Sequence, residues 1–424
     1  MGKEYHSAIN LYGGGNPGLQ AGEEPPRLLF CSDIMGRMWR AYVFRLAPTR
    51  GQARRLDECL RDHRRLYNAA LEHRRTAWRR ARAPISYTSQ ASELTEIRAD
   101  DSEQARWSYS SQQATLRRLD GAFRAFFHRV KHGERPGYPR FKGRDRFDSV
   151  LWPVDGDGCG WQREPGRVYL QGIGHVKVRQ HRALEGVIKT LQVTREGRAW
   201  SVVLSCDEVP KSPLPPSGYS VGLDLGVARF ATLTDGIVID NPRHLAASRA
   251  ELTEAQQRLS RAKRTSQNSR RARARVAAIH RTIRRQRADF HHKVARALVR
   301  DYDVIAVEDL RITNMTHSAR GTLEEPGTNV AAKSGLNRSI LDAGWGQFLG
   351  ILASKAEEAG REIRIVDPRH TSVTCLECGG RMARPRQDTG ICATHGAFDA
   401  DLVGAWNVAT RAGLGSRQVE HVSS

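Results

Sequence analysis

The sequence predicts a multidomain α/β protein that also carries a small β-barrel or sheet and a helical part, and three observations lead there. Beyond residue 216, strand-like runs alternate with long helical stretches. From about 150 to 209 the chain is cut into short alternating segments, and from about 52 to 131 apolar residues recur at helical spacing. At roughly 100–200 residues per domain, 424 residues allow two to four domains.

Residues 1–37 are rich in Gly and Pro, lack periodicity, and are expected to be a flexible extension. Met38 to Phe44 reads as a strand. A basic helix follows from about Gln52 to Arg82, with Leu56, Leu60, Tyr67 and Leu71 on one side. A second helix, about Ser110 to Lys131, has a stripe of Leu116, Leu119, Phe123, Phe126 and Phe127. Val168–Leu170, Val176–Val178 and Trp200–Leu204 read as strands of a small antiparallel sheet or barrel. The proline-rich stretch from Pro210 to Pro216 reads as a linker. After it, Ser220–Gly226, Phe230–Leu233 and Ile237–Ile239 are strand-like, with a hairpin signal at Asp235-Gly236. An Arg-rich helical region runs from about Ala246 to Val299. Val304–Val307 has the unbroken apolar texture of a buried strand. A helix over about Asp342–Ala359, a strand at Ile363–Val366 and a helix over Asp401–Ala412 complete the chain.

The formal net charge is +22 and the pI about 10.3. Such an excess points to a polyanionic partner and says nothing about fold. No run of roughly 18 apolar residues exists to cross a membrane, no basic helix has a continuous face of large apolar residues, and no secretory signal pattern opens the sequence. Nucleic acid is therefore the expected partner. Between Arg258 and Arg287 there are twelve Arg or Lys residues and no acid, which suits a phosphate groove better than an ordinary solvated helix. Trp78, Trp107, Tyr109, Trp152 and Trp161 are expected in cores more than on base-stacking surfaces.

Three carboxylates lie where secondary structure can gather them. Asp224 is on the first strand of the last domain, between Gly222 and Gly226. Glu308 is at the exit of a buried strand, and Asp401 opens the final helix. Three hairpin-connected strands, a helix, a parallel strand and a closing helix describe an RNase H-type layout, in which the first and fourth strands are neighbours. Three acids in a basic protein need a cation to offset their repulsion. Mg²⁺, or Mn²⁺ in its place, takes oxygen ligands, and two such ions serve phosphodiester hydrolysis. Taken singly, each acid has a structural reading: a turn residue, an arginine partner with Asp309 as rival, and a helix N-terminal charge with Asp399 as N-cap.

The seven cysteines form no disulfide framework and suit a reducing cytoplasm. Cys375 and Cys378 are followed, after thirteen residues, by Cys392 and His395. Three thiolates and an imidazole at this spacing make a closed structural Zn²⁺ site.

In order and wording these segments resemble the transposon-encoded TnpB nucleases and the compact type V CRISPR effectors derived from them. The likeness runs from Tyr42–Thr49, Tyr67–Leu71 and Leu116–Phe123 through Gly137-Tyr138-Pro139-Arg140-Phe141-Lys142. It continues in Gly222–Gly226, Val307–Leu310, Leu336–Ile340, Val366–Arg369, Thr371-Ser372, and Asp401 with Ala405 and Asn407. The sequence departs from the family at His395, where a fourth cysteine is more usual, and at Leu402-Val403-Gly404-Ala405. The resemblance implies a bilobed chain: a wedge β-barrel (38–50 and 138–215) interrupted by a helical recognition insert (51–137), and a RuvC nuclease domain (216–371 and 398–424) holding a zinc ribbon (372–397).

It further implies that Asp224, Glu308 and Asp401 are the catalytic, metal-binding triad. The implied partners are a guide RNA, of CRISPR or transposon origin, and a target double-stranded DNA marked by a short adjacent motif. The protein would act as a monomer or as a homodimer on its guide, in a prokaryotic cytoplasm and on the nucleoid when bound to target. Gln112, Gln113 and Arg117 are candidates near the motif, and Arg140, Lys142, Lys263, Arg264, Arg270 and Arg271 are candidate nucleic-acid contacts. The small size and divergent ending lean toward a miniature CRISPR effector. A guided DNA-binding silencer and an RNase H-fold recombinase remain as alternatives.

Overall fold

The computed structural model describes residues 27–28, 37–134, 136–162, 166–322 and 324–415, and the chain divides into two compact units, 33–211 and 1–32 with 212–424. Most of the extension 1–37 lies outside the described residues. Its Arg27–Leu28, strand β1, pairs antiparallel with Ile365 and Arg364 of the second unit.

The first unit opens with β2 (Arg37–Ala47), followed by helices α1 (Arg50–Ala81), α2 (Tyr87–Asp100), α3 (Ser102–Ala105) and α4 (Tyr109–Lys131). Strands β3 (Ser149–Trp152), β4 (Cys159–Gln162), β5 (Arg167–Leu170), β6 (Gly174–Arg179), β7 (Val187–Glu196) and β8 (Ala199–Pro210) complete it. They form one barrel-like antiparallel sheet in the order β3-β7-β8-β2-β6-β5-β4. Period-two burial builds its inner face: Tyr42, Phe44 and Leu46 from β2 meet Val202, Leu204 and Cys206 from β8. The turn into α1 is a capping box, in which Thr49 Oγ1 accepts from the Gln52 N–H and Gln52 Oε1 accepts from the Thr49 N–H. The apolar side of α1 packs on Leu116, Leu119 and Phe123 of α4. Arg74 is buried between helices, donating to Gln90 Oε1 at 2.9 Å and to Asp120 at 3.2 Å.

The second unit holds β9 (Ser220–Leu225), β10 (Arg229–Leu233) and β11 (Val238–Asp240). Helices α5 (His244–Ala247), α6 (Arg249–Arg261) and α7 (Gln267–Asp301) follow, so the Arg-rich helical region folds as a helical hairpin. Then come β12 (Val304–Glu308), α8 (Ile312–Met315), α9 (Val330–Ala343), α10 (Trp345–Ala359), β13 (Glu362–Val366), the hairpin β14 (Thr389–Cys392) and β15 (Gly396–Asp399), and α11 (Ala400–Arg411). The main sheet has the order β1-β13-β12-β9-β10-β11, with β12 parallel to both β9 and β13. This is the RNase H-type arrangement expected from the element order.

Alternation along β9 and β12 divides their side chains between two layers. Val221, Leu223, Ile305 and Val307 join the core with α7 and α10. Gly222, Asp224, Ala306 and Glu308 fall on the opposite face, where Ala306 packs with Val408 and Ala412 of α11. At Gly222 an added Cβ would stand 2.4 Å from the Ala405 carbonyl oxygen, so glycine there is what lets α11 lie directly on the sheet.

Candidate active site and metal centre

Parallel pairing sets two of the three acids side by side. Ala306 is in register with Gly222, so Glu308 and Asp224, each two residues on, project in step from adjacent strands. The third comes from α11, where Asp401 sits in the first turn. Asp399 is the N-cap: its Oδ1 accepts from the Asp401 and Leu402 N–H groups at 3.0 and 3.2 Å, which leaves the Asp401 carboxylate out of capping. Asp224 and Asp401 line a 530 Å³ groove with Trp345, Ser372 and Arg384. Glu308 is 6% exposed, and its Oε1 accepts from the Thr371 hydroxyl at 2.6 Å.

Burial raises the carboxyl of Asp224 to about 8, and the charges of Glu308 and Asp401 add to the rise. Glu308 is raised by burial, opposed by the Thr371 hydroxyl and by Arg411. Asp401 is raised by burial and by Asp399, opposed by Arg229 and Arg384. Arg229 reaches Asp399 at 2.7 Å and Asp401 at 3.6 Å. Arg229 and Arg384 carry no sequence pattern, and Thr371, although inside the family likeness, has no role that the sequence assigns. Close packing reaches the acids too: an added Cβ at Gly404 would stand 2.9 Å from Asp224 Cγ. Buried, mutually repelling carboxylates fit a hard divalent cation, which offsets the repulsion with oxygen ligation.

The second metal centre is more compact. The ligand atoms of Cys375, Cys378, Cys392 and His395 all lie within 4.8 Å of one another. Cys378 and Cys392 sulfurs are 3.7 Å apart, and His395 Nδ1 is 3.7 Å from Cys375 Sγ and 3.6 Å from Cys392 Sγ. A tetrahedral Zn²⁺ with Zn–S about 2.3 Å and Zn–N about 2.0–2.1 Å requires S···S near ~3.8 Å and S···N near ~3.5 Å. The site fits zinc on all three distances. Backbone N–H groups of Thr394 and His395 point at the Cys392 sulfur and hold its thiol down at about 6. Asn407 ties the ribbon to α11, donating to the Thr371 and Thr374 carbonyls at 2.7 and 2.8 Å.

Comparison with known proteins gives this geometry a lineage. A family model described as "Probable transposase" (OrfB of IS605) matches residues 202–319, a Cas12f1-like TNB domain matches 345–408, and a helix-turn-helix model matches 35–83. The chain is 32% identical over 376 residues to InsQ of Escherichia coli (strain K12), provisionally named an RNA-guided DNA endonuclease, covering 87% of this chain and 91% of that protein. The chain belongs to the TnpB and compact Cas12-like family. A Streptomyces pristinaespiralis relative of the same provisional name is 31% identical, with 82% of each chain covered. The solved Cas12f1–sgRNA–target DNA complex shares the fold at TM-score 0.51 and 12% identity, covering 88% of this chain and 99% of that one.

Within this family's fold the candidate nucleic-acid contacts separate. Gln112 is a correction. It is fully buried, its amide donating to the Gln104 carbonyl and side chain and its oxygen accepting from Arg98, so it has no face for a ligand. Gln113 is half-buried and accepts from the exposed Arg117 at 3.3 Å. Arg140 is exposed. The Lys142 backbone is clamped by Asn68, and its half-buried ammonium lies 5.8 Å from the Tyr67 ring. Lys263 and Arg264 at the α6–α7 turn, and Arg270 and Arg271 in the first turns of α7, are all exposed. Trp107 and Trp152 are core residues, whereas Trp78 and Tyr109 are 51% and 37% exposed, against expectation.

Two outcomes follow from the two metal centres. Because the Asp224 carboxyl is raised, the folded state holds its proton more tightly than the unfolded chain from about pH 4 up to about 8. Stability of the cation-free protein therefore falls as pH rises through that window. Asp224→Asn should raise its melting temperature by several degrees at pH 8, with the gain vanishing near pH 4, as read by scanning calorimetry. Zinc removal by a chelator, or Cys375→Ser, should lower the melting temperature and release one equivalent of zinc to a colorimetric dye.

Proposed function

We propose that this protein is an RNA-guided DNA endonuclease whose single nuclease centre is Asp224, Glu308 and Asp401. The gathering of these three acids by two parallel strands and the closing helix carries the reading. The provisional names of the two relatives support the guide and the DNA target. Asp224, Glu308 and Asp401 would hold two Mg²⁺ ions, or Mn²⁺, whose chemistry there would be to activate a water and to offset charge on the leaving oxygen. The chain's own residues prepare that site. β9 and β12 hold Asp224 and Glu308 on rigid backbone, the Thr371 hydroxyl orients Glu308 and favours its ionised form, and Arg229 restrains Asp401. Arg384, from the ribbon, puts positive charge in the groove where a scissile phosphate would lie.

The barrel (38–50 and 138–215) with its helical insert (51–137) would hold guide and heteroduplex and read the adjacent motif. The nuclease domain (216–371 and 398–424, with the ribbon 372–397) would cut. Sequence reading falls to RNA–DNA pairing, and the +22 charge to the backbones. The match of residues 202–319 to a transposase model supports a transposon-associated setting, and the match of 345–408 to a Cas12f1-like domain supports the CRISPR one. A silencer that only binds is disfavoured because all three acids are retained.

Purified complex with guide RNA should cleave a matching duplex in Mg²⁺. Asp224→Ala should abolish product on a denaturing gel while leaving target binding within about twofold of wild type. Gly404→Ala, which crowds the Asp224 carboxylate, should slow cleavage roughly tenfold or more. Full cleavage by Asp224→Ala would remove the assignment.

A further inference from the structure

The apolar stripe of α4 does not end in a core. Leu119 is fully buried and Phe123 8% exposed, yet Phe127 is 60% exposed. The chain then returns across this end through Gly137–Lys142. Tyr138 sets its edge against Phe123 and Phe126, at centroid distances of 5.6 and 5.3 Å, and remains 44% exposed. Phe141 is 43% exposed, with the Arg75 guanidinium 5.1 Å from its ring centroid. A 670 Å³ groove lies here, lined by Arg75, Arg129, Tyr138, Arg140 and Phe141. Arg129 and Arg140 are exposed and make no ion pair among the described residues. Two acids lie near the groove: Glu72, 3.8 Å from Arg75, and the exposed Glu134, whose N–H donates to the Arg129 carbonyl at 2.9 Å.

Exposed rings interleaved with free cations have a specific chemistry. A protein partner would be met by an apolar patch with few charges at its centre, and a membrane by a continuous apolar face. Rings flanked by guanidinium groups suit a nucleobase on the ring and phosphates on the cations. The base must already be unpaired, because bases inside a duplex are stacked and hidden. Loops, bulges and ends of a folded RNA present such bases without the unpairing cost that duplex DNA would exact.

We propose that this groove takes an unpaired base of the guide RNA, stacked on Tyr138 or Phe141, with Arg129 and Arg140 on the adjoining phosphates. The site rests on the RNA-guided reading but is independent of the nuclease centre, and its test involves no cleavage.

The test is fluorescence anisotropy of the full-length protein with a short labelled oligouridylate, at fixed salt. Phe141→Ala and Tyr138→Ala should each weaken binding roughly tenfold, and Phe141→Tyr and Tyr138→Phe should restore it. Arg140→Ala should weaken binding less and reduce its salt dependence. Affinity for a blunt RNA duplex should be unchanged. Because Tyr138 also packs on Phe123 and Phe126, Phe141→Ala decides the matter if Tyr138→Ala lowers the melting temperature. Unchanged oligouridylate affinity in Phe141→Ala overturns the proposal. So does tighter binding of oligothymidylate than of oligouridylate, which would assign the groove to displaced DNA, or a change of oligomeric state on Phe141→Ala without a change in RNA affinity. Loss of guided cleavage in wild type would sink the nuclease reading while leaving this binding result to be judged separately.

Discussion

The parallel pairing of β9 with β12 is the constraint on which the nuclease unit depends. It joins strands some eighty residues apart in sequence and leaves Asp224 and Glu308 in step on one face. A slip of β12 by one residue would send Glu308 into the apolar layer with α7 and α10 and part it from Asp224. The pairing is held by a buried run, Ile305 to Val307, whose side chains meet helices on both sides. Close approach of α11 then brings the third acid. Two glycines allow it, one on each surface: Gly222 under the helix backbone and Gly404 against Asp224.

Such packing brings a stability penalty that the protein does not resolve with its own groups. The raised carboxyls of Asp224, Glu308 and Asp401 all reflect desolvation first. Nearby cations offset it only partly, because Arg229 divides its charge between Asp399 and Asp401. A site in this condition is poised for a divalent cation and is less comfortable without one. The zinc cluster acts in the opposite sense. Its ligands stand at tetrahedral spacing, and Asn407 fastens the ribbon backbone to the same helix that carries Asp401.

Much of this was legible in the sequence because the signals were periodic or spaced. The unbroken apolar run before Glu308, the hairpin at Asp235-Gly236 and the paired knuckles around Cys375 and Cys392 each reflect one local rule. What escaped depended on contacts distant in sequence. Thr371 falls inside the family likeness, but its bond to Glu308, 63 residues away, is announced by no spacing. The helix Tyr87–Asp100 has a weakly amphipathic sequence and is anchored by Gln90 and Leu94 alone among its buried residues, so periodicity passed it over. Gln112, a candidate for contacts near the adjacent motif, is buried and bonded to Gln104 and Arg98. The wording Leu402-Val403-Gly404-Ala405, which read as a departure from the family, places its glycine where Asp224 needs room.

Cation binding at the triad can be read without guide or target. Calorimetric titration of zinc-loaded, magnesium-free protein with Mn²⁺, in two buffers of different ionisation enthalpy at pH 7, measures both affinity and proton release. An Asp224 carboxyl near 8 must give up its proton as the cation enters. Mn²⁺ should therefore bind with net proton release, and Glu308→Gln should weaken that binding and Asp224→Asn remove most of the release. Equal affinity in all three proteins, with no protons released, would contradict a cation site built from these acids.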